Sequence, residues 1–162
     1  MATPTYTALA TTTLSSSASS VTFSDISSSY RDLTCVVYAD GTAQTELYIR
    51  FNSDTGSTYT AVRMQGSGTS AGYNTYSGTN GMRLVGNGDI MTNFSFTAMI
   101  HVQDYSATDK YKTLLSRTNS SNGVDACVGN WPSTSAISSI TLYPNSGSFD
   151  TGSTFSLFGV AA

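Results

Sequence analysis

The segment FSFTAMIHVQ, residues 94–103, decides the fold class of this chain. Every second residue from Phe94 onward is apolar as far as Val102, and mostly polar residues lie between them. This period of two places the apolar side chains on one face of an extended strand, whereas a helix would need a period near 3.6. The segment therefore predicts a β-strand with one buried face and one exposed face.

The same alternation recurs along most of the chain and predicts about ten strands. Clusters of Gly, Asn, Asp and Ser separate the apolar runs at the spacing typical of a sandwich or barrel. No stretch has a convincing helical period, so we predict an all-β fold, an antiparallel β-sandwich of jelly-roll type. The predicted strands cover residues 6–9, 21–23, 33–38, 47–52, 62–64, 94–102, 111–115, 124–128, 137–143 and 155–160.

Two segments depart from this pattern. Residues 1–20 consist mostly of Ala, Ser and Thr, and we expect them to form an extended N-terminal arm that pairs with a neighbouring subunit. Residues 65–81 are rich in Gly and Ser, and we expect a long functional or mobile loop there. The remainder, residues 21–162, is predicted to form a single β-sandwich domain.

The composition argues against several classes of protein. Only 10% of residues are charged, and Lys and Glu, which usually populate exposed helix faces, are almost absent. This argues against a helical bundle and against an α/β enzyme. The net charge of −3 argues against a nucleic-acid partner, and the hydrophobic content of 39% argues against disorder.

The sequence contains few signals of membrane targeting, secretion or disulfide formation. No apolar run approaches the roughly 18 residues needed to cross a bilayer, so we expect no membrane partner. The N-terminal sequence MATPTY has neither the basic nor the apolar segment of a secretory signal. Cys35 and Cys127 could form one disulfide, but cysteines on apolar strands are more often buried thiols.

One literal catalytic motif occurs in the chain. Residues 68–72 match the G-x-S-x-G nucleophile elbow around Ser70, and Asp89 and His101 follow in the order of a hydrolase triad. The elbow works only at a turn from a strand into a helix, and the sequence YNTYSG after Gly72 has no helical character. We therefore expect no enzymatic activity.

The metal-binding motifs are incomplete. His101 is the single histidine, so a His-rich zinc site is excluded. Asn52 and Asp54 match part of a calcium loop that lacks its distal Glu, and a hairpin turn is the favoured interpretation. Most acidic residues fall in predicted turns, which argues against the paired carboxylates of a glycosidase. We expect neither a metal nor a cofactor.

Aromatic and arginine residues are the candidates for an interface. Tyr and Arg are enriched at protein interfaces, and Tyr offers a large contact area at low entropic cost. Tyr48, Arg50 and Arg63 are predicted to point outward from what looks like one hairpin. They form either part of an interface or an ordinary solvated sheet face. Trp131 either anchors an interface or closes one end of the core. The predicted interface residues are Tyr48, Arg50, Arg63, Tyr73, Tyr76 and Trp131.

Both flanks of the chain resemble a known class of protein. The first flank carries VTFSDI at residues 21–26, YRDL at 30–33 and LYIRFN at 47–52. The second carries ISSITLY at residues 137–143 and GSTFSLFGV at 152–160. These strand patterns, over about half of the chain, resemble small virion proteins of tailed bacteriophages, particularly those of marine and cyanobacterial hosts.

The resemblance implies a structural role without catalytic or metal-binding residues. It implies a capsid decoration or cement protein on the outer surface of the phage head, assembled in the host cytoplasm. The implied partners are the major capsid protein or other virion proteins, together with copies of this chain in a homotrimer. Two alternatives stay open: a tail-fibre or receptor-binding module that contacts host glycans, and a carbohydrate-binding module of cellular origin.

Overall fold

The predicted antiparallel β-sandwich of jelly-roll type is confirmed. A computed structural model of the chain describes residues 4–56, 58–85, 95–120 and 123–161. Within those residues the chain forms twelve strands and contains no helix long and apolar enough to cross a membrane. The strands are β1 (Tyr6–Thr13), β2 (Val21–Phe23), β3 (Asp32–Ala39), β4 (Leu47–Phe51), β5 (Tyr59–Gly66), β6 (Ala71–Thr79), β7 (Met82–Arg83), β8 (Phe96–Gln103), β9 (Lys112–Ser120), β10 (Gly123–Trp131), β11 (Ile140–Pro144) and β12 (Thr154–Val160).

Two sheets pack face to face. The large sheet has eight strands in the order β1-β12-β3-β8-β9-β10-β5-β6, and the small sheet has four in the order β2-β11-β4-β7. Every pairing is antiparallel, so directly paired residues point to the same face of their sheet. Each sheet therefore has an inner face toward the core and an outer face toward solvent.

The core lies between the inner faces of the two sheets. In β8, Phe96, Ala98, Ile100 and Val102 are buried, as the alternation predicts, and Phe94 lies outside the described residues. The small sheet contributes buried aliphatic and aromatic side chains in the same alternating way. Burying one such large side chain stabilises the fold by roughly 1.5–3 kcal/mol. The largest fully buried side chains of the small sheet are Phe51, Leu47, Ile49 and Met82.

The strands that the alternation fails to predict are β6 and β7. The expected loop over residues 65–81 is wrong, because most of these residues belong to β5 and β6. A turn at Ser67–Ser70 joins the two strands and is closed by a 2.9 Å hydrogen bond from the Ser67 N–H to the Ser70 carbonyl. Strand β6 lies at the edge of the large sheet and is exposed along most of its length. Its polar residues carry no period of two, so its conformation depends on backbone pairing with β5.

The N-terminal segment is extended, but it pairs within its own chain. Strand β1 is hydrogen-bonded to β12 from Tyr6 to Thr13 and forms the other edge of the large sheet. Beyond the strand, the Leu14 N–H donates to the Ser153 carbonyl at 2.9 Å, and Ala18 and Phe149 bridge through their backbones. The arm is therefore part of the sandwich, and because β1 is an edge strand, its pairing with a neighbouring subunit stays a prediction.

The two cysteines are buried free thiols, as the sequence favours. Cys35 lies on β3 and Cys127 on β10, and β8 and β9 run between those strands. Three strand spacings amount to roughly 14 Å, which is beyond the reach of a disulfide. Burial raises the pKa of each thiol to about 12, so both stay protonated and unreactive at neutral pH.

Candidate interaction face of the large sheet

The outer face of the large sheet carries a row of side chains that crosses six adjacent strands. Each member of the row is directly paired with the next, so all of them point to the same side. Four of the six are aliphatic or sulfur-containing, and the row contains one charge. From β3 to β6 its members are Val36, Met99, Arg117, Ala126, Met64 and Tyr73.

A second aliphatic row lies beside the first. Leu115 on β9 is paired with Val128 on β10, which is paired with Val62 on β5. The exposed fractions are 55% for Leu115, 48% for Val128 and 46% for Val62. Scattered exposed aliphatic residues are normal, but contiguous apolar patches on a soluble protein mark interaction sites. We call the two rows together the outer apolar face.

A groove of about 710 Å³ runs across the outer apolar face. Its apolar walls come from strands β3, β8, β5 and β10, and its polar residues include Arg117 and Asn119 from β9. The volume lies within the range of about 300–1,000 Å³ that is usual for ligand-binding clefts. The apolar wall residues are Val36, Met64, Met99 and Val124.

Arg117 brings a charge into this groove. Its Nη2 donates to the Met99 sulfur at 3.5 Å, and no carboxylate of the described residues lies within ion-pair distance of its guanidinium. Asp125 also borders the groove, but its carboxylate pairs with Arg63 on the inner face. Beside Arg117, the Asn119 Oδ1 accepts hydrogen bonds from the Thr97 N–H at 2.8 Å and from the Thr97 hydroxyl at 2.5 Å. Those bonds fix the Asn119 amide and leave its NH₂ group as a further donor.

Tyr48 and Arg50 lie together on the outer face of the small sheet, as predicted. The Tyr48 ring stacks on Tyr143 with a centroid distance of 5.5 Å. The Arg50 guanidinium lies 4.6 Å above the Tyr143 ring and donates to its hydroxyl at 3.0 Å. Tyr143 was missed as a site residue, although its place between buried strand positions on β11 marks it as outward-facing.

Tyr73 and Tyr76 lie on opposite faces of β6. Tyr73 is paired with Met64 on the outer apolar face and is 75% exposed. Tyr76 is paired with Ala61 and packs beneath the Arg83 guanidinium, which lies 4.7 Å above its ring. The glycan-binding alternative predicts that both tyrosines share an exposed groove with Trp131, and that arrangement is absent among these residues.

Arg63 is not the exposed residue that the sequence predicts. It points inward from β5, with its Nη2 2.9 Å from the Asp125 Oδ1 and its Nη1 3.2 Å from the Asn74 Oδ1. The apparent hairpin with Tyr48 and Arg50 does not exist either, because β4 and β5 belong to different sheets. On β5 the usual arrangement is inverted, since Arg63 is buried and Val62 is exposed.

Trp131 closes one end of the core and is 2% exposed, so its assignment to an interface is wrong. Its ring lies 5.6 Å from Phe51 and stacks on Tyr59 at 6.3 Å between ring centroids. Its Nε1 donates to the Asp54 Oδ2 at 2.6 Å. The other Asp54 oxygen accepts the Gly56 N–H at 2.8 Å, so this carboxylate organises the turn between β4 and β5. That turn is not the hairpin that the sequence favours, because β4 and β5 belong to different sheets.

The catalytic motif does not assemble. Ser70 lies in the turn between β5 and β6, where its hydroxyl is 2.8 Å from that of Ser67. His101 lies on β8, three strands from β5 in the large sheet, which corresponds to roughly 14 Å or more. Asp89 lies outside the described residues. Within the described residues, no group of three His, Cys, Asp or Glu side chains is arranged to hold a metal ion.

His101 has a different carboxylate neighbour. Its Nε2 is 3.5 Å from the Asp32 Oδ2, which also accepts the Arg31 Nε and Nη2 at 3.0 Å. The other Asp32 oxygen accepts the Asp104 N–H at 2.9 Å. Burial alone would raise the pKa of Asp32, but these hydrogen bonds and the positive charge of Arg31 outweigh burial, and the net pKa is lowered.

The lowered pKa of Asp32 predicts acid sensitivity. The stabilisation from its ionised carboxylate is complete above pH 3.8, which is the ordinary pKa of an Asp side chain. It is lost as the pH falls from there through the lower pKa of Asp32 in the folded state. Urea unfolding between pH 2 and pH 5 should therefore show the wild-type chain losing stability faster than Asp32→Asn. Parallel pH profiles for the two proteins would contradict this account.

Comparison with known proteins yields likeness only at the level of solved structures. No protein-family model matches the chain, and none of the curated proteins matches it. Galectin LEC-6 of Caenorhabditis elegans is 9% identical, with 91% of this chain and 94% of that chain covered and a TM-score of 0.38. The CBM40 domain of the Ruminococcus gnavus IT-sialidase, bound to α2,3-sialyllactose, is 12% identical, with coverage of 96% and 95% and a TM-score of 0.35. Domains LG4-5 of the mouse laminin α1 chain are 12% identical, with coverage of 91% and 40% and a TM-score of 0.37. At such low identities and TM-scores, these likenesses carry no argument about function.

Proposed function

We propose that this chain is a non-enzymatic structural protein of a phage virion that docks on a protein partner through the outer apolar face. The observation that supports this proposal is the pair of adjacent aliphatic rows on the large sheet, in which Leu115 and Val128 are about half exposed. Removing such side chains from water favours association by roughly 25 cal/mol for each Å² buried. A protein partner with an apolar surface is the occupant that gains most from this face.

The specific role of capsid decoration rests on the resemblance of the two flanks to phage virion proteins. In this role the partner is the major capsid protein, and three copies of the chain associate at a capsid site. Association into a trimer compensates for the modest affinity of one small contact, because linked sites bind with high avidity. We therefore expect sedimentation equilibrium to give a molecular mass three times the chain mass of 17.0 kDa.

The location of the protein in particles tests this role. Gold-labelled antibodies against the chain, applied to purified virions from the source culture, should decorate the phage heads evenly. Label confined to the tail would favour the receptor-binding alternative. Unlabelled particles that package DNA normally would contradict the virion assignment.

Substitution of Leu115 tests the docking face. Leu115→Glu places a charge in the middle of the outer apolar face, and we expect occupancy on purified particles to fall more than tenfold, with little change in thermal stability. Thr22→Glu is the matched control, because Thr22 is an exposed strand residue on the outer face of the small sheet. Equal binding by both variants, measured by co-sedimentation, would show that the large sheet is not the docking face.

Glycan binding is the second candidate function. The observation that favours it is the Tyr48–Tyr143 ring pair with the Arg50 guanidinium above it on the small sheet. Flat rings beside a hydrogen-bond donor can hold the apolar face and a hydroxyl of a sugar. Binding on a glycan array that is lost in Tyr143→Ala would support this candidate, and an array without signal would exclude it.

A further inference from the structure

We propose that the groove around Arg117 receives a carboxylate flanked by apolar side chains, presented by a segment of the partner protein. This inference rests on the proposed function, because it names what the outer apolar face recognises. The determining feature is a guanidinium that lies between apolar walls on the docking face.

Charge complementarity identifies the central group of the occupant. Arg117 and Asp125 are the charged residues that border the groove among the described residues. The Asp125 carboxylate is paired with Arg63 on the inner face, whereas the Arg117 guanidinium makes only a weak contact with the Met99 sulfur. A guanidinium presents paired N–H donors whose geometry matches the two oxygens of a carboxylate. A partner that covered this groove with apolar groups alone would leave the Arg117 charge buried and unpaired, which is costly.

Asn119 adds a second donor on the same side. It lies two residues from Arg117 on β9, so the two side chains share the outer face. Its carbonyl oxygen is held by Thr97, which orients the amide and leaves the NH₂ group for a ligand. Two neighbouring donors of this kind favour an acceptor-only group, and an ionised carboxylate is such a group.

The walls of the groove indicate a protein segment as the source of the carboxylate. Val36 and Val124 are aliphatic, and Met64 and Met99 are flexible thioethers of the kind that adapt to varied apolar partners. None of the groove residues is a tyrosine or tryptophan, which would offer a flat platform to a sugar ring. The occupant that fits is an acidic residue between aliphatic residues.

Three capped peptides test this inference by NMR. The probes are acetyl-Leu-Glu-Leu-amide, acetyl-Leu-Gln-Leu-amide and acetyl-Ser-Glu-Ser-amide, titrated into protein labelled at the Met methyl groups. We expect the first peptide to shift the Met64 and Met99 signals. The dissociation constants of the Gln and Ser peptides should each be roughly fivefold higher than that of the first peptide. A change of this size is expected when an exposed ion pair or a small apolar contact is lost.

Variants of Arg117 complete the test. Arg117→Gln should abolish the preference for Glu over Gln, and Arg117→Lys should retain part of it, because the charge remains without the paired donors. Equal binding of the Glu and Gln peptides, shifts confined to other methionines, or tighter binding of glucuronate would each overturn the inference. If the peptides fail while Leu115→Glu still abolishes particle binding, the inference is wrong and the proposed function stands.

Discussion

Trp131→Ala should lower the free energy of unfolding by about 3–5 kcal/mol. The Trp131 ring is buried against Phe51 and Tyr59, and its N–H is the hydrogen-bond partner of the Asp54 carboxylate. Truncation opens a cavity and removes a charge-assisted hydrogen bond from Asp54. The loss is a large share of the roughly 5–15 kcal/mol that stabilises an ordinary domain, so partial unfolding at 37 °C is expected.

Urea denaturation followed by far-UV circular dichroism measures this effect, because the single tryptophan is lost in the variant. Trp131→Phe is the control, since it removes the hydrogen bond but keeps an aromatic ring and most of the buried volume. We expect it to retain more than half of the stability that Trp131→Ala loses. A change below about 0.5 kcal/mol in the Ala variant, as at an ordinary surface position, would contradict the burial of Trp131.

Asp125→Ala should destabilise the fold by about 3–5 kcal/mol, which is the usual cost of breaking a buried ion pair. Arg63 and Asp125 are nearly inaccessible, and their side chains meet at 2.9 Å on the inner face of the large sheet. Removal of the carboxylate leaves the guanidinium in a poorly solvated place with one charge partner fewer. The midpoint of unfolding in guanidinium chloride should therefore shift to a lower denaturant concentration.

A double variant separates the charge effect from the loss of packing. Arg63→Met combined with Asp125→Leu replaces both charges with apolar groups of similar size, and such exchanges are often neutral or stabilising. We therefore expect the double variant to be more stable than Asp125→Ala alone. If the double variant is the less stable of the two, the ion pair contributes packing or hydrogen bonds that no apolar pair can replace.

The inverted pattern on β5 and β10 connects stability with the proposed function. On these strands a charged pair, Arg63 and Asp125, is buried, and Val62 and Val128 are exposed. A monomer designed only for stability would place these side chains the other way round. The inversion becomes favourable when a partner covers the aliphatic residues, which is the arrangement expected of a docking face.

The sequence predicts the fold class well because the period of two is strong where a strand buries one face. In β8 the buried residues Phe96 and Ile100 are the ones that the alternation selects. The outward position of Tyr48 and Arg50 on the small sheet was also predictable, since these residues alternate with buried neighbours on β4. The groove around Arg117 was not predictable, because its walls come from four other strands whose order in the sheet depends on long-range pairing.

Burial of a side chain is a relation between strands, and this explains where the sequence was misleading. Arg63 alternates with Val62 and Met64 in the way that a surface arginine would, and only the opposing Asp125 makes its inward position acceptable. Trp131 lies beside a proline in an apparent connection, and only the packing of Phe51 and Tyr59 encloses it. In both cases the deciding contacts come from residues distant in the chain.

By itself, then, the sequence determined that this chain forms stacked antiparallel strands, because local side-chain alternation selects the extended backbone and marks one face for burial. The tertiary structure alone decided which strands are neighbours and which arginine is buried. It also decided that residues 71–79 form strand β6, because these residues show no alternation of apolar side chains and are ordered by pairing with β5. The physical reason is that backbone hydrogen bonds and ion pairs between distant segments exist only after the chain has closed into its two sheets.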